Sequence, residues 1–299
     1  MQVNPNLTPN IIADLQQSQS ALNTALQQVA TGRSVSVPSD NPTASAAMVQ
    51  NTIDTGNVDQ YTQNISTVLA KVQSASSVLN NVVTALTQAV SLGTEGANGT
   101  NTTANMQAIA TQVQGVLSSV VAEANTSVAG SYLFGGSGTT PPYTADSTSP
   151  TGFAYNGTSV VSSVAVGDQL NVQVNLPGSQ VFSNSSNNVL GSLNALVKAL
   201  QTGSSSAIST ATNGVSSAIS HIGQQQAIYS NAEGQLASQE TFLQQDTVTL
   251  ASQANNLVGV DMATAATNLT HAETANSAAM AAAAKVMPNT LLNYLAPPA

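Results

Sequence analysis

Residues 258–286 read VGVDMATAATNLTHAETANSAAMAAAAKV, and this stretch decides the fold. Its apolar or small residues fall at Val258, Met262, Ala265, Leu269, Ala272, Ala279, Ala283 and Val286, with Asn276 as the one polar intruder. The steps alternate four and three, which is the seam of an α-helix that packs lengthwise on other helices. A matching seam stands near the start of the chain, at Ile11, Leu15, Ser18, Leu22, Ala25 and Val29. Seams at both ends predict that the terminal helices pair with each other or with neighbouring molecules.

Composition supports thin helical packing. Of 299 residues 41% are hydrophobic, yet there are only four Phe, six Tyr and no Trp, too few large side chains for one thick core. Charged residues make up 6%, against roughly 25% in ordinary soluble domains. The net charge is −9, and the four basic residues, Arg33, Lys71, Lys198 and Lys285, are scattered. No basic patch is available to neutralise phosphates, so nucleic acid is not an expected partner. Cysteine is absent, which removes disulfides and thiolate metal sites. The first thirty residues lack a basic n-region and a continuous apolar h-region, so no cleaved secretory signal is expected. No run reaches the length of a membrane span, and membrane insertion is not expected either.

Taken in order, a polar start with Pro5 and Pro9 leads to a helix over about 11–30, closed near Thr31-Gly32. After an extended segment, Asp40 or Asn41 can cap a second helix that Pro42 opens. That helix is predicted to about Leu92, with a weak point at Gly56 and a seam at Ile65, Leu69, Val72, Ser76, Leu79, Val83, Leu86 and Val90. A loop over 94–101 and a third helix follow, seamed by Met106, Ala110, Val113, Leu117, Val120 and Ala124 and stopping before Gly130. The short loop predicts an antiparallel helical hairpin.

From Tyr132 the period drops towards two. Residues 160–166 and 170–174, joined at Gly167-Asp168, predict a β-hairpin, with shorter strands at 153–155 and 180–182. Helices resume at 189–200 and from about Ser205, where Ile222, Tyr229, Leu236, Leu243, Leu250 and Leu257 recur every seven residues. The register then slips by one residue at Val258, a candidate boundary between two helical regions. The expected fold is therefore mainly α with a small inserted β domain, a nested helical rod. Its divisions are a terminal coiled-coil domain (1–40 and 258–299), a middle helical domain (41–131 and 189–257) and a β-rich insertion (132–188).

Reactive constellations are scarce. His221 and His271 each fall on a predicted helix without ligand spacing around them, and no G-x-S-x-G elbow occurs. Gly135-Gly-Ser-Gly138 lacks the lysine and following helix of a phosphate loop. No catalytic, cofactor or metal site is expected, and a structural part is the predicted role.

Three segments carry a resemblance. Thr31-Gly-Arg-Ser-Val-Ser-Val-Pro-Ser-Asp-Asn-Pro42 is similar to the N-terminal signature of the flagellin superfamily, in the form found in its hook-associated branch. Ser131-Tyr-Leu-Phe-Gly-Gly136 with Pro141-Pro-Tyr143 resembles the passage from helix to β domain. Val260-Asp-Met-Ala263, Ala281-Ala-Ala-Ala-Lys-Val286 and Leu291-Leu-Asn-Tyr-Leu295 resemble the C-terminal signature. The signature residues are then Gly32, Arg33, Pro38, Ser39, Asp40, Pro42, Tyr132, Leu133, Phe134, Gly135, Asp261, Lys285, Leu292 and Leu295. The resemblance is to the hook–filament junction family. It implies a ring of copies between the first hook-associated protein and flagellin, extracellular, exported through the flagellar apparatus with a chaperone and without signal cleavage. Its assembly interface is expected at Ile11, Leu15, Leu22, Val29, Met262, Leu269, Ala279, Ala283 and Val286. The competing expectations are a flagellin that polymerises by itself and an adhesin whose β insertion holds a ligand. The low charge departs from the family pattern.

Overall fold

The computed structural model describes residues 7–149, 151–184 and 187–295, and side chains from residue 9 to residue 285. Seven helices and six short strands appear among them: α1 (Leu7–Thr31), α2 (Pro42–Gly96), α3 (Thr103–Ala124), β1 (Ser127–Val128), β2 (Ser131–Tyr132), β3 (Tyr143–Ala145), β4 (Phe153–Tyr155), β5 (Ser163–Ala165), β6 (Asn171–Gln173), α4 (Gly178–Val181), α5 (Val189–Thr202), α6 (Ser205–Val258) and α7 (Met262–Leu295). The fold is mainly helical with a small β-rich part, as its periodicity predicts. Two compact units form, residues 1–57 with 245–299, and residues 58–244, so the division falls inside α2 and α6.

In the larger unit the α2 seam lies one residue away from the expected line at every second step. Ile65, Val72, Leu79 and Leu86 are buried as predicted. Their partners are Val68, Ala75, Val82 and Ala89, while Leu69, Ser76, Val83 and Val90 are half-exposed. Several of these neighbours are equally apolar (Val68 and Leu69, Val82 and Val83), so the sequence pattern alone fits both lines. Gly56 does not interrupt α2, which continues to Gly96. Ala110, Val113, Leu117, Val120 and Ala124 of α3 are buried as expected, and α3 packs on α5. Gly93 and Gly96 let α2 approach closely: an added Cβ would meet Thr212 and Leu200. Ile222, Tyr229, Leu236, Leu243 and Leu250 are buried along α6, and Leu257 is half-buried.

The β-rich part is three separate antiparallel pairs, β1–β2, β3–β4 and β5–β6. The predicted hairpin forms with Val164 opposite Val172, but Val160 and Val161 stay outside it and exposed. α3 ends at Ala124, before Gly130 as expected, and Asn125 leaves the helix to pair its amide with the backbone of Tyr143, donating to its carbonyl and accepting from its N–H at 2.8 Å each. The chain then turns at Ala129 and Gly130, both with positive φ (50° and 78°), the geometry of a tight two-residue hairpin. Residues 180–182 are not a strand. Pro177 opens α4, and its carbonyl accepts from the Gln180 and Val181 amides, so that the adjacent residues Val181 and Phe182 are both fully buried. Alternating strand geometry would have sent one of them outward.

An aromatic cluster closes this part. Phe134 meets Phe182 edge to face at 5.1 Å, and Tyr143 lies beside Tyr155 and Phe182. Burial pushes the Tyr143 hydroxyl well above its ordinary pKa, and it stays protonated, donating to Gly178 O at 2.7 Å. No helix of the described residues is long and apolar enough to cross a membrane.

Candidate assembly interface

The candidate site is the smaller unit, built on how its helices begin and end. Gly32 takes a left-handed φ of 67°, which stops α1 and lets its N–H return to Gln28 O at 2.9 Å. The chain then forms a two-way backbone clasp. Ser34 N donates to Val258 O (2.7 Å), Val260 N donates to Gly32 O (3.1 Å), and Arg33 pairs antiparallel with Gly259. α1 runs into this clasp and α7 runs out of it, so the two are antiparallel, and they pack on one another.

The signature residues Pro38 to Pro42 form the entry to α2. The Asp40 carboxylate accepts from the Ser36 and Val37 amides (3.0 Å each), and these bonds hold its pKa below the ordinary carboxylate value. Between the two expected caps, Asn41 takes the role: its Oδ1 accepts from Ala44 N at 3.0 Å. Asp261 does the same for α7, accepting from Ala263 N (3.1 Å) and the Thr264 hydroxyl (2.7 Å). Those bonds depress its pKa too, the Thr264 hydroxyl first.

The predicted interface residues divide. Ile11, Leu15, Leu22 and Val29 are half-buried on α1, as are Leu269 and Ala279 on α7, while Ala25, Ala265 and Ala283 are buried. Met262 stands apart, 50% exposed. Val286, Leu292 and Leu295 lie outside the described side chains. Of the remaining signature residues, Arg33, Pro38, Ser39, Asp40, Pro42, Asp261 and Lys285 are exposed. Leu133, Phe134 and Gly135 are buried beneath the β-rich part, with Tyr132 half-buried in β2. Phe134 belongs to the aromatic core, and its carbonyl accepts from Gly178 N (2.8 Å) and Tyr155 OH (2.9 Å). His271 is exposed. His221 is buried, with Nε2 2.9 Å from Gln180 O, tying α6 to α4.

The sequence reading missed a second apolar set. Ile12, Leu26 and Met280 are exposed (42–47%) on α1 and α7. Val37, Val49 and Ile53 are 48–62% exposed and, with Val35, Pro38 and Met48, line an open groove of about 350 Å³ beside Arg33. Large apolar side chains gathered on an exposed surface are a mark of an interaction site. The step of four from Val49 to Ile53 was the available signal.

Known proteins match both the N-terminal and the C-terminal part of the chain. The N-terminal helical region of bacterial flagellin matches residues 4–139, and the C-terminal helical region matches residues 205–295. No curated protein matches the chain by sequence. Among solved structures, the fold is similar to a putative flagellar hook-associated protein from Vibrio parahaemolyticus (TM-score 0.67, 17% identity, covering 74% of this chain and 100% of that one). It is also similar to the hook-associated protein-3 of Legionella pneumophila (0.64, 14%, 70% and 98%) and to the flagellar junction protein FlgL of the same organism (0.61, 15%, 71% and 100%).

Proposed function

Because the chain belongs to the bacterial flagellin family, whose N-terminal and C-terminal helical regions it carries in order, we propose that it is a structural subunit of the flagellum at the junction between hook and filament. In that position it joins the first hook-associated protein to flagellin, in a ring of its own copies, and motility depends on it. It reaches the cell exterior through the flagellar export apparatus with its chaperone, without a cleaved signal. Its role is structural rather than enzymatic.

The observation that carries this reading is the apolar set left open on a unit made of both chain ends. A subunit that waits for neighbours needs such a surface, and the similar folds bear hook-associated and junction names. The proposed division of labour gives residues 1–40 and 258–299 to assembly, joined by the start of α2 around Val49 and Ile53; the rest of 41–131 with 189–257 forms the helical middle, and 132–188 the outer domain. Ile11, Leu15, Leu22, Val29, Leu269, Ala279 and Ala283 hold α1 to α7. Ile12, Leu26, Met262 and Met280, with the groove around Val49 and Ile53, meet neighbouring subunits.

Deleting the gene tests the assignment. Junction loss leaves hooks without filaments and sheds flagellin into the medium. A null strain that keeps normal filaments would refute the junction role. Loss of one flagellin species with none of it shed would reassign the chain to the filament.

A further inference from the structure

Residues 58–244 carry a groove of their own. It runs along α6 beside β6 as two adjoining cavities of about 310 and 660 Å³ that share Asn231 and Gln235. Ile228, Asn231, Gln235, Gln239 and Phe242 line it in steps of three and four, so they occupy one face of α6. At the helical rise that face extends about 21 Å. Asn171 lines the opposite wall from β6.

The amides here are of two kinds. Asn175 is committed to the fold, accepting from Ser162 N at 2.7 Å. Tyr229 is likewise committed, its hydroxyl accepting from Leu176 N at 3.1 Å. The side chains of Asn171, Asn231, Gln235 and Gln239, by contrast, form no hydrogen bond among the described residues, although the half-buried Gln239 amide lies against Gly167. No Asp, Glu, Lys, Arg or His lines either cavity. Phe242 is 59% exposed at one end, and Ile228 is 43% exposed at the other.

Each free amide offers two donors and an acceptor on one planar head, which suits a ligand that presents neighbouring hydroxyls. An exposed ring supplies an apolar platform for the C–H face of a sugar. The groove's neutrality and the chain's net charge of −9 disfavour an acidic polymer. We infer that this groove binds a neutral oligosaccharide, with Asn171, Asn231, Gln235 and Gln239 reading hydroxyls and Phe242 stacking on a sugar ring. The inference stands apart from the junction role, since it concerns a different unit of the chain.

The test is calorimetric titration of the full chain with cellohexaose, chitohexaose and maltohexaose, and with a polygalacturonate fragment as the acidic arm. At least one neutral sugar should saturate in the millimolar range or tighter. Phe242→Ala and the pair Asn231→Ala/Gln235→Ala should each weaken it by about tenfold, with helicity unchanged by circular dichroism. Asn213→Ala, exposed elsewhere on α6, should leave it unaltered. The inference is overturned if no neutral sugar saturates, if the acidic fragment binds as well, or if the groove substitutions leave affinity unchanged. Saturation by an uncharged Ser/Thr-rich peptide, with no response to any sugar, would assign the groove to a peptide and likewise overturn it.

Discussion

Replacing Asn276 with leucine should tighten the pairing of α1 with α7. Asn276 occupies a seam position on α7, and its Oδ1 is buried without a hydrogen-bond partner; the Ser18 hydroxyl on α1 is in the same state. Counted outward from the Arg33–Gly259 bridge, Ser18 and Asn276 lie fifteen and seventeen residues away, within about one helical turn of the same height. Two orphaned polar atoms therefore sit in one stretch of a seam that is otherwise apolar. Leaving a buried acceptor unsatisfied costs about 1–3 kcal/mol. Leucine is close to asparagine in size, removes the orphan and adds apolar contact, so the pair should gain about 1–3 kcal/mol. The assay is amide hydrogen exchange over residues 15–29 and 265–283. Exchange through local opening should slow about fivefold to 150-fold, at one decade per 1.4 kcal/mol. Unchanged or faster exchange in Asn276→Leu would refute the view of Asn276 as a stability cost within the pair.

Four other outcomes are expected. Val82→Ala should destabilise the larger unit by about 1–3 kcal/mol in denaturant unfolding, and Val83→Ala by under about 1 kcal/mol; a reversed order would restore the seam read from sequence. Gly32→Ala meets no neighbouring atom within 4 Å of the new Cβ, so its cost should be the left-handed backbone alone, about 1–2 kcal/mol. Leu269→Asp should open the α1–α7 pair, whereas Met280→Asp should leave it closed and still prevent junction assembly, as scored by hydrogen exchange beside filament attachment. Asp40 and Asp261 have depressed pKa values in the folded chain. Their stabilisation is full above the ordinary carboxylate pKa and is lost as pH falls through the folded values; in Asp261→Asn, acid titration of the thermal midpoint should show a shallower decline below that pKa.

The helices were legible because a heptad is a local pattern: the spacing in 258–286 and 11–29, and the sevenfold recurrence on α6, need only the neighbouring residues to be seen. The same holds for the stop at Gly32 and the start at Pro42. Legibility ended where two local choices were equally good. Val82 and Val83 are both valines, and only the helices packed against α2 decide which of them is buried. Asp40 and Asn41 are both good caps, and the turn at Ser36–Val37 takes the first, leaving the second to α2. Residues 180–182 have the composition of a strand. Pro177, just upstream, supplies the carbonyl that turns the chain into α4, and the aromatic cluster needs Val181 and Phe182 buried together. The open apolar set at Val37, Val49 and Ile53 went unread for a related reason. Periodicity marks a residue as apolar on a given face, but whether that face is covered depends on which elements arrive there. Local spacing thus sets where the long helices run, because each heptad is complete within its own segment, whereas the choice between equivalent caps, the turn into α4 and the side of each helix that is covered depend on the elements that pack there.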